Sequence, residues 1–121
     1  MWKYFKLEEF KCRCGCGTTN MNTEFIDKLD KLRDKLGFSL RVNSGYRCPQ
    51  YNNRISSTGF NGPHTTGRAA DLSVDRAKCY ELLALAKECG FTGIGLNQKG
   101  VGRYIHLDDL TEGPRPNVWT Y

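Results

Sequence analysis

Residues 64–71, His-Thr-Thr-Gly-Arg-Ala-Ala-Asp, decide the organisation of this chain together with residues 104–108, Tyr-Ile-His-Leu-Asp. The chain has two histidines, His64 and His106, and each lies close to an aspartate among small or apolar residues. Imidazole and carboxylate groups are common zinc ligands, and a catalytic zinc site combines three protein ligands with one open position. A lone histidine in such a setting is more often a surface or turn residue, whereas two histidines in matching settings make a metal site a candidate.

The first segment contains its own turn. Thr65–Gly67 has the composition of a turn, and Ala69–Val74 is a short apolar run that predicts a buried strand. The chain can therefore reverse direction between His64 and Asp71 and bring both side chains to one point.

The second segment has the alternation of a half-buried strand. Side chains of a strand point alternately to opposite faces, so Tyr104, His106 and Asp108 should share one face. Ile105 and Leu107 then occupy the other face. We expect the apolar pair to face the core and the polar trio to face a cleft.

Length and composition indicate a single domain over residues 1–121. The 26% charged and 39% hydrophobic residues are ordinary for a globular protein, and a chain of this size can bury a real core. No apolar run approaches the roughly 20 residues that a membrane helix needs. Residues 1–10 lack the apolar stretch and cleavage site of a signal peptide, so we expect synthesis in a cytoplasm.

The formal charge of +5 favours polyanionic surroundings, such as anionic cell-wall polymers or nucleic acid. The basic residues are, however, interleaved with acidic ones. The chain also lacks an RNA-binding aromatic motif, a zinc finger with paired histidines and a long basic run. Nucleic acid is therefore the less favoured partner.

Six cysteines could form three disulfides, but without a signal peptide the oxidising compartment that disulfides require is missing. Cys79 and Cys89 fall on one predicted helix, about 15 Å apart along its axis. That separation is too large for a disulfide between them.

The remaining cysteines form a denser group. Cys12, Cys14 and Cys16 alternate in a glycine-containing loop, and together with Cys48 they are candidates for a second, structural metal site. Cys12 and Cys16 fit the usual spacing of paired zinc cysteines better than adjacent members of the run. The simpler interpretation, favoured at this level, is a loop with reduced thiols or one disulfide.

Apolar residues at helical spacing predict the first long helix: Phe25, Leu29, Leu32 and Leu36. Asn22 or Thr23 should cap its start, with Met21 packing back on its first turn. Gly37 should end the helix, since glycine readily adopts the left-handed conformation found after a C-cap.

A second long helix is predicted over Arg76–Cys89, with Asp75 as its cap and Gly90 at its end. Four segments have strand patterns: residues 39–43, 69–74, 93–96 and 104–107. From Thr111 onward, glycine and proline argue against regular structure, although Trp119 could pack back on the domain. Mixed helices and strands with short connections indicate the α+β class.

The motifs, taken in order, resemble those of the zinc D-alanyl-D-alanine carboxypeptidases and phage L-alanyl-D-glutamate endopeptidases. They comprise Ser-Gly-Tyr-Arg at residues 44–47, His64 with six residues before Asp71, and a strand histidine at His106. The resemblance covers residues 5–108. It implies a small antiparallel sheet backed by helices, with a zinc site in a cleft on the sheet, as in hedgehog and D-Ala-D-Ala peptidase domains.

The resemblance also implies the roles of individual residues. The zinc ligands map onto His64, Asp71 and His106, with Zn²⁺ as the cofactor. The arginine that binds substrate and stabilises the transition state maps onto Arg47, a catalytic role that suits a fixed guanidinium. The substrate-binding positions are Ser44, Tyr46, Arg47 and Tyr104.

The position of the general base departs from the family pattern. Many members carry an acid three residues before the last ligand, or a histidine two residues before it, where this chain has Arg103 and Tyr104. The nearest carboxylate on the expected ligand face is Asp108, and we expect it to act as the catalytic base. The alternative is that Asp108 orients a ligand. Weaker base candidates are Asp109 and Glu112.

We therefore expect a zinc metallopeptidase that hydrolyses peptidoglycan stem peptides, as a D-Ala-D-Ala carboxypeptidase or an L-Ala-D-Glu endopeptidase. A phage endolysin would be a monomer without a membrane span, made in the cytoplasm and acting on the cell wall after release. The alternative is a non-catalytic module that binds cell-wall peptide or nucleic acid and holds a structural metal through its cysteines.

Overall fold

The computed structural model describes residues 1–121 and has the predicted α+β architecture. The helices are α1 (Thr23–Leu36), α2 (Pro49–Ile55) and α3 (Arg76–Ala86). The strands are β1 (Arg41–Ser44), β2 (Ala69–Ser73), β3 (Gly93–Asn97), β4 (Tyr104–Asp108) and β5 (Asn117–Thr120). Short 3₁₀ helices occupy Leu7–Phe10, Gly59–Asn61 and Pro63–Thr66. None of the helices has the length and apolar character needed to cross a membrane.

The strands form one five-stranded sheet in the order β1-β2-β4-β3-β5. All neighbouring pairs are antiparallel except β3 and β5, which run parallel. In the register of β2 and β4, Asp71 lies directly opposite His106. Paired residues on adjacent strands point to the same face, so this register brings two of the candidate ligands together.

The alternation expected in β4 is confirmed. Ile105 and Leu107 are fully buried in the hydrophobic core, which they share with Leu72 of β2. The apolar stripe of α1 packs into the same core through Phe25 and the leucines that follow it at helical spacing. The opposite face of the sheet is therefore left for the polar side chains.

The predicted limits of α1 are also confirmed. The side chain of Asn22 accepts hydrogen bonds from the backbone N–H groups of Glu24, at 3.0 Å, and Phe25, at 3.3 Å. This satisfies donors that the first turn of a helix leaves without partners. Gly37 follows the last turn in the left-handed conformation, with φ of 76°.

Two details of α3 differ from the prediction. Regular helix ends at Ala86 rather than Cys89, because Gly90 turns into the left-handed conformation and Phe91 donates its N–H to the carbonyl of Ala86. Asp75 precedes the helix but makes no capping bond. Its carboxylate instead accepts a hydrogen bond from the Arg76 guanidinium at 2.7 Å.

The prediction of an irregular C-terminal tail is wrong for residues 117–120, which form β5. The tail pairs with the free edge of β3, and the N–H of Tyr121 donates to the carbonyl of Leu96 at 3.2 Å. Gly95 makes room for this strand, since a Cβ there would lie 2.6 Å from the indole nitrogen of Trp119. Pairing with a distant strand leaves no trace in the local sequence pattern.

Candidate metal centre

His64, Asp71 and His106 converge on the polar face of the sheet. Each offers one ligand atom, and these atoms all lie within 4.8 Å of one another. All three residues are buried. The 3₁₀ helix Pro63–Thr66 supplies His64, while the paired strands β2 and β4 supply the other two.

The backbone of the neighbouring loop orients His64. Its Nδ1 lies 2.8 Å from the carbonyl oxygen of Gly45, and its Nε2 lies 3.2 Å from Oδ1 of Asp71. Gly45 packs directly against Phe10, because a Cβ at this position would lie 2.6 Å from the Phe10 Cα. The absence of a side chain at Gly45 thus lets this carbonyl reach the imidazole.

A carboxylate orients His106 in the same way. Its Nε2 lies 2.7 Å from Oδ2 of Asp108, and its Nδ1 lies 3.1 Å from Oδ1 of Asp71. The two imidazole rings are 5.1 Å apart between centroids, in an edge-on arrangement. Both rings therefore turn one nitrogen toward a single oxygen of Asp71.

The donor set suits a metal cation. A carbonyl and a carboxylate accept hydrogen bonds, so each neutral imidazole places its proton on the outer nitrogen, toward Gly45 or Asp108. The inner nitrogens of His64 and His106 then present lone pairs to the Asp71 oxygen. Three electron-pair donors at such distances are stabilised by a cation among them, and two imidazoles with one carboxylate are a common zinc donor set.

Without a cation, the inner nitrogens of the imidazoles can instead carry protons and donate hydrogen bonds to Asp71. Burial alone would raise the pKa of Asp71, but hydrogen bonds with His106 and His64 outweigh burial and hold this pKa well below its ordinary value. Burial alone would lower the pKa of His106, but its bonds to Asp108 and Asp71 outweigh burial and raise this pKa. The pocket therefore stabilises a carboxylate at Asp71 and positive charge beside it.

Arg47 is held rigidly at the edge of the cluster. Its Nη2 donates to Oδ2 of Asp71 at 3.3 Å, its Nε to Ser44 at 3.0 Å and its Nη1 to Asn52 at 3.0 Å. Asn52 is fully buried and donates in turn to the carbonyl of Gly59. Asn52 is not among the site residues predicted from the sequence, although its position five residues after Arg47 in a short polar helix is visible there.

Asp108 lies on the far side of His106 and is fully buried. Both of its oxygens accept from the Arg115 guanidinium, at 2.9 and 2.8 Å. Burial alone would raise the pKa of Asp108, but His106 and Arg115 together lower it to about 2. A carboxylate enclosed in this way does not line the cavity, so the geometry does not favour Asp108 as the general base.

The weaker base candidates also lie away from the cluster. Asp109 is buried and forms ion pairs with Arg68, at 2.8 Å, and with Lys28, at 2.9 Å. Glu112 borders a separate depression that it shares with Arg68 and Asp109.

A cavity of about 640 Å³ opens over the cluster. Arg47 and Tyr104 line it as expected, whereas Ser44 and Tyr46 do not. Ser44 contributes by holding Arg47, and Tyr46 is buried. The substrate-binding role expected for Ser44 and Tyr46 is therefore not supported as direct contact.

The C-terminal tail supplies a wall of the cavity that local sequence patterns do not predict. Its lining residues are Arg115, Asn117, Trp119 and Tyr121. The ring centroids of Trp119 and His106 lie 5.2 Å apart, and those of Tyr121 and Tyr104 lie 5.4 Å apart. Burial, above all, raises the pKa of Tyr121 to about 12, so this phenol keeps its proton.

A second cluster lies outside the cavity. The sulfur atoms of Cys12, Cys14, Cys16 and Cys48 all lie within 4.8 Å of one another, and none forms a disulfide. These are the four cysteines that the sequence offers as candidates for a second metal site. Cys79 and Cys89 are also free.

The sequence matches a known protein family. A protein-family model described as Peptidase M15 matches residues 3–108, which is most of the chain. No curated protein matches the chain. The matched region contains His64, Asp71 and His106, and it ends at Asp108.

The buried ion pair between Arg115 and Asp108 leads to a prediction about stability. Replacing Arg115 by methionine leaves the buried carboxylate without its guanidinium partner, so the free energy of unfolding should fall by about 3 kcal/mol. The matched control is Arg76→Met, which breaks an exposed pair with Asp75 and should cost less than about 1 kcal/mol. Urea denaturation of both variants measures the difference, and equal losses would contradict the assignment.

Proposed function

The chain belongs to the Peptidase M15 family, and from this premise we propose that it is a zinc-dependent peptidase that hydrolyses peptidoglycan stem peptides. The observation that carries the proposal is the convergence of His64, Asp71 and His106 at the base of an open cavity. Family membership supports metallopeptidase chemistry in general. The substrate and the roles of individual residues are our assignments.

His64, Asp71 and His106 would hold the metal through the atoms that face one another. When bound, zinc polarises a scissile carbonyl and lowers the pKa of water toward about 7. The chain prepares its ligands for this role. The carbonyl of Gly45 and the carboxylate of Asp108 keep the protons of the imidazoles on the outer nitrogens, which leaves the inner nitrogens free to bind.

Arg47 would stabilise negative charge on the substrate. Its guanidinium is already fixed by Ser44, Asn52 and Asp71, so little side-chain entropy is lost when a peptide binds. A planar guanidinium pairs with a carboxylate or with the developing oxyanion of a carbonyl. We assign Arg47 to one or both of these contacts.

Asp108 would act as a positioning residue rather than as the base. It fixes the ring orientation and tautomer of His106 and is itself fixed by Arg115. Hydrogen-bonded carboxylates behind a histidine ligand are a recurrent feature of zinc sites. The buried carboxylate also lowers the cost of placing His106 beside a dication.

The cavity wall supports a small acidic peptide as substrate. A D-Ala-D-Ala terminus and an L-Ala-D-Glu bond both carry a free carboxylate next to the scissile bond, which suits the cationic Arg47. The aromatic rings of Tyr104, Trp119 and Tyr121 offer apolar surface for methyl side chains. Within this class we propose a D-Ala-D-Ala carboxypeptidase or an L-Ala-D-Glu endopeptidase, acting as an endolysin on the cell wall.

The first experiment digests purified peptidoglycan with the full chain and identifies the released products by mass. We expect release that a zinc chelator abolishes and added zinc restores. Free D-alanine would indicate the carboxypeptidase, and new D-glutamate amino termini would indicate the endopeptidase.

His64→Ala, checked for folding by circular dichroism, should be inactive and should lose the metal of this site. Product release that withstands both the chelator and this substitution would refute a zinc peptidase. Binding of wall peptide without cleavage would instead support the non-catalytic alternative.

The second experiment separates the two roles of Asp108. Asp108→Asn keeps the shape and weakens the orienting bond, so zinc affinity should fall by about 10- to 100-fold and added metal should restore turnover. Asp109→Asn is the matched control, because it alters a neighbouring buried ion pair outside the cluster. Turnover reduced about 10²- to 10⁴-fold at saturating zinc, with unchanged affinity, would identify Asp108 as the base after all.

The third experiment replaces Arg47 by lysine. Lysine keeps the positive charge but lacks the fork that contacts Ser44, Asn52 and a substrate oxygen together. We expect a folded protein with normal zinc content and a loss of kcat/KM of about 10²-fold or more. Near-normal kcat/KM in Arg47→Lys would reduce this arginine to a structural role.

A further inference from the structure

The four clustered cysteines have the arrangement of a metal site. Sγ of Cys12 lies 3.5 Å from Sγ of Cys14, which lies 3.7 Å from Sγ of Cys48. With Cys16 included, every sulfur lies within 4.8 Å of every other. Zinc–sulfur bonds of about 2.3 Å in a tetrahedron place the sulfurs about 3.8 Å apart, close to these distances.

The same distances argue against the other uses of four thiols. A disulfide bond is about 2.05 Å long, whereas the sulfurs of Cys12 and Cys14 lie 3.5 Å apart and those of Cys14 and Cys48 lie 3.7 Å apart, and all four cysteines are free. An iron–sulfur cluster needs space for several iron and sulfide atoms between its cysteines. A single tetrahedral ion bound by four thiolates fits the spacing, and zinc is the usual occupant of such a structural site.

The backbone around the cluster is shaped for this purpose. Gly15 and Gly17 adopt left-handed conformations, with φ of 92° and 77°, and they turn the loop so that the sulfurs of three nearby cysteines lie close together. The N–H of Cys12 donates to the carbonyl of Thr18 at 2.9 Å and closes the loop. The N–H of Cys48 points to Sγ of Cys12 at 3.3 Å, which stabilises thiolate charge.

We propose that Cys12, Cys14, Cys16 and Cys48 bind a structural zinc ion, separate from the metal of the His64 cluster. This ion would fasten the N-terminal loop to the segment that carries Arg47, the residue before Cys48. The two segments already touch, since the N–H of Tyr46 donates to the carbonyl of Phe10 at 2.8 Å. The site would therefore hold Arg47 in place from outside the cavity.

The test counts zinc ions in the full chain by mass spectrometry of the metal. We expect about two per chain, falling to about one in Cys14→Ser and, independently, to about one in His64→Ala. Cys89→Ser is the matched control and should leave the content unchanged, because Cys89 lies outside the cluster. Loss of zinc in His64→Ala with none in Cys14→Ser would overturn this inference and leave the proposed function intact.

Substitution with cobalt identifies the ligands directly. Cobalt bound by thiolates gives an intense charge-transfer absorption that imidazole and carboxylate ligands do not give. We expect this absorption in the native chain and in His64→Ala, and its loss in Cys14→Ser. Cobalt-loaded protein without the absorption, or two disulfides among these cysteines in freshly purified protein, would refute the site whatever the activity.

Discussion

Two imidazole nitrogens and one carboxylate oxygen that face one another form the constraint on which this structure depends. His64 and His106 turn toward the same oxygen of Asp71, at 3.2 and 3.1 Å, at the base of the cavity, where all three residues are buried. Electron-pair donors that face one another in this way are unfavourable by themselves and are stabilised by positive charge among them. Its surroundings are organised to impose it: the pairing of β2 with β4 aligns Asp71 with His106, and the carbonyl of Gly45 aligns His64.

Behind the cluster, each orienting group is itself oriented. His106 bonds to Asp108, and Asp108 bonds to Arg115, which lies over the ring of Trp119 at 4.9 Å. A buried ion pair of this kind contributes little net stability, because desolvation offsets most of its attraction. Its value lies in the fixed direction of the imidazole, since a ligand that rotates by one ring position loses its metal-facing nitrogen.

Local sequence patterns predict much of this arrangement, and the reasons for the exceptions are physical. Helical spacing and an N-cap define α1, and strand alternation assigns His106 and Asp108 to one face, because both depend on neighbours in the chain. Sharing a face does not say which ring nitrogen Asp108 meets. That choice depends on the side-chain rotamer and on Arg115, which arrives from a tail whose pairing with β3 is non-local. The expected base was therefore placed on the right strand face but behind the ring.

The boundary of the family match divides the cavity into two parts. The candidate ligands and Arg47 lie within residues 3–108, whereas Arg115, Trp119 and Tyr121 lie beyond them. The residues that the family match covers would thus supply the chemistry. Much of the cavity wall that a substrate would touch comes from the C-terminal tail, which the match does not cover. Because Arg115 both borders the cavity and holds Asp108, a change in the tail that alters substrate fit also reaches His106. In the proposed enzyme, substrate selection and the orientation of His106 would therefore be coupled through a single guanidinium.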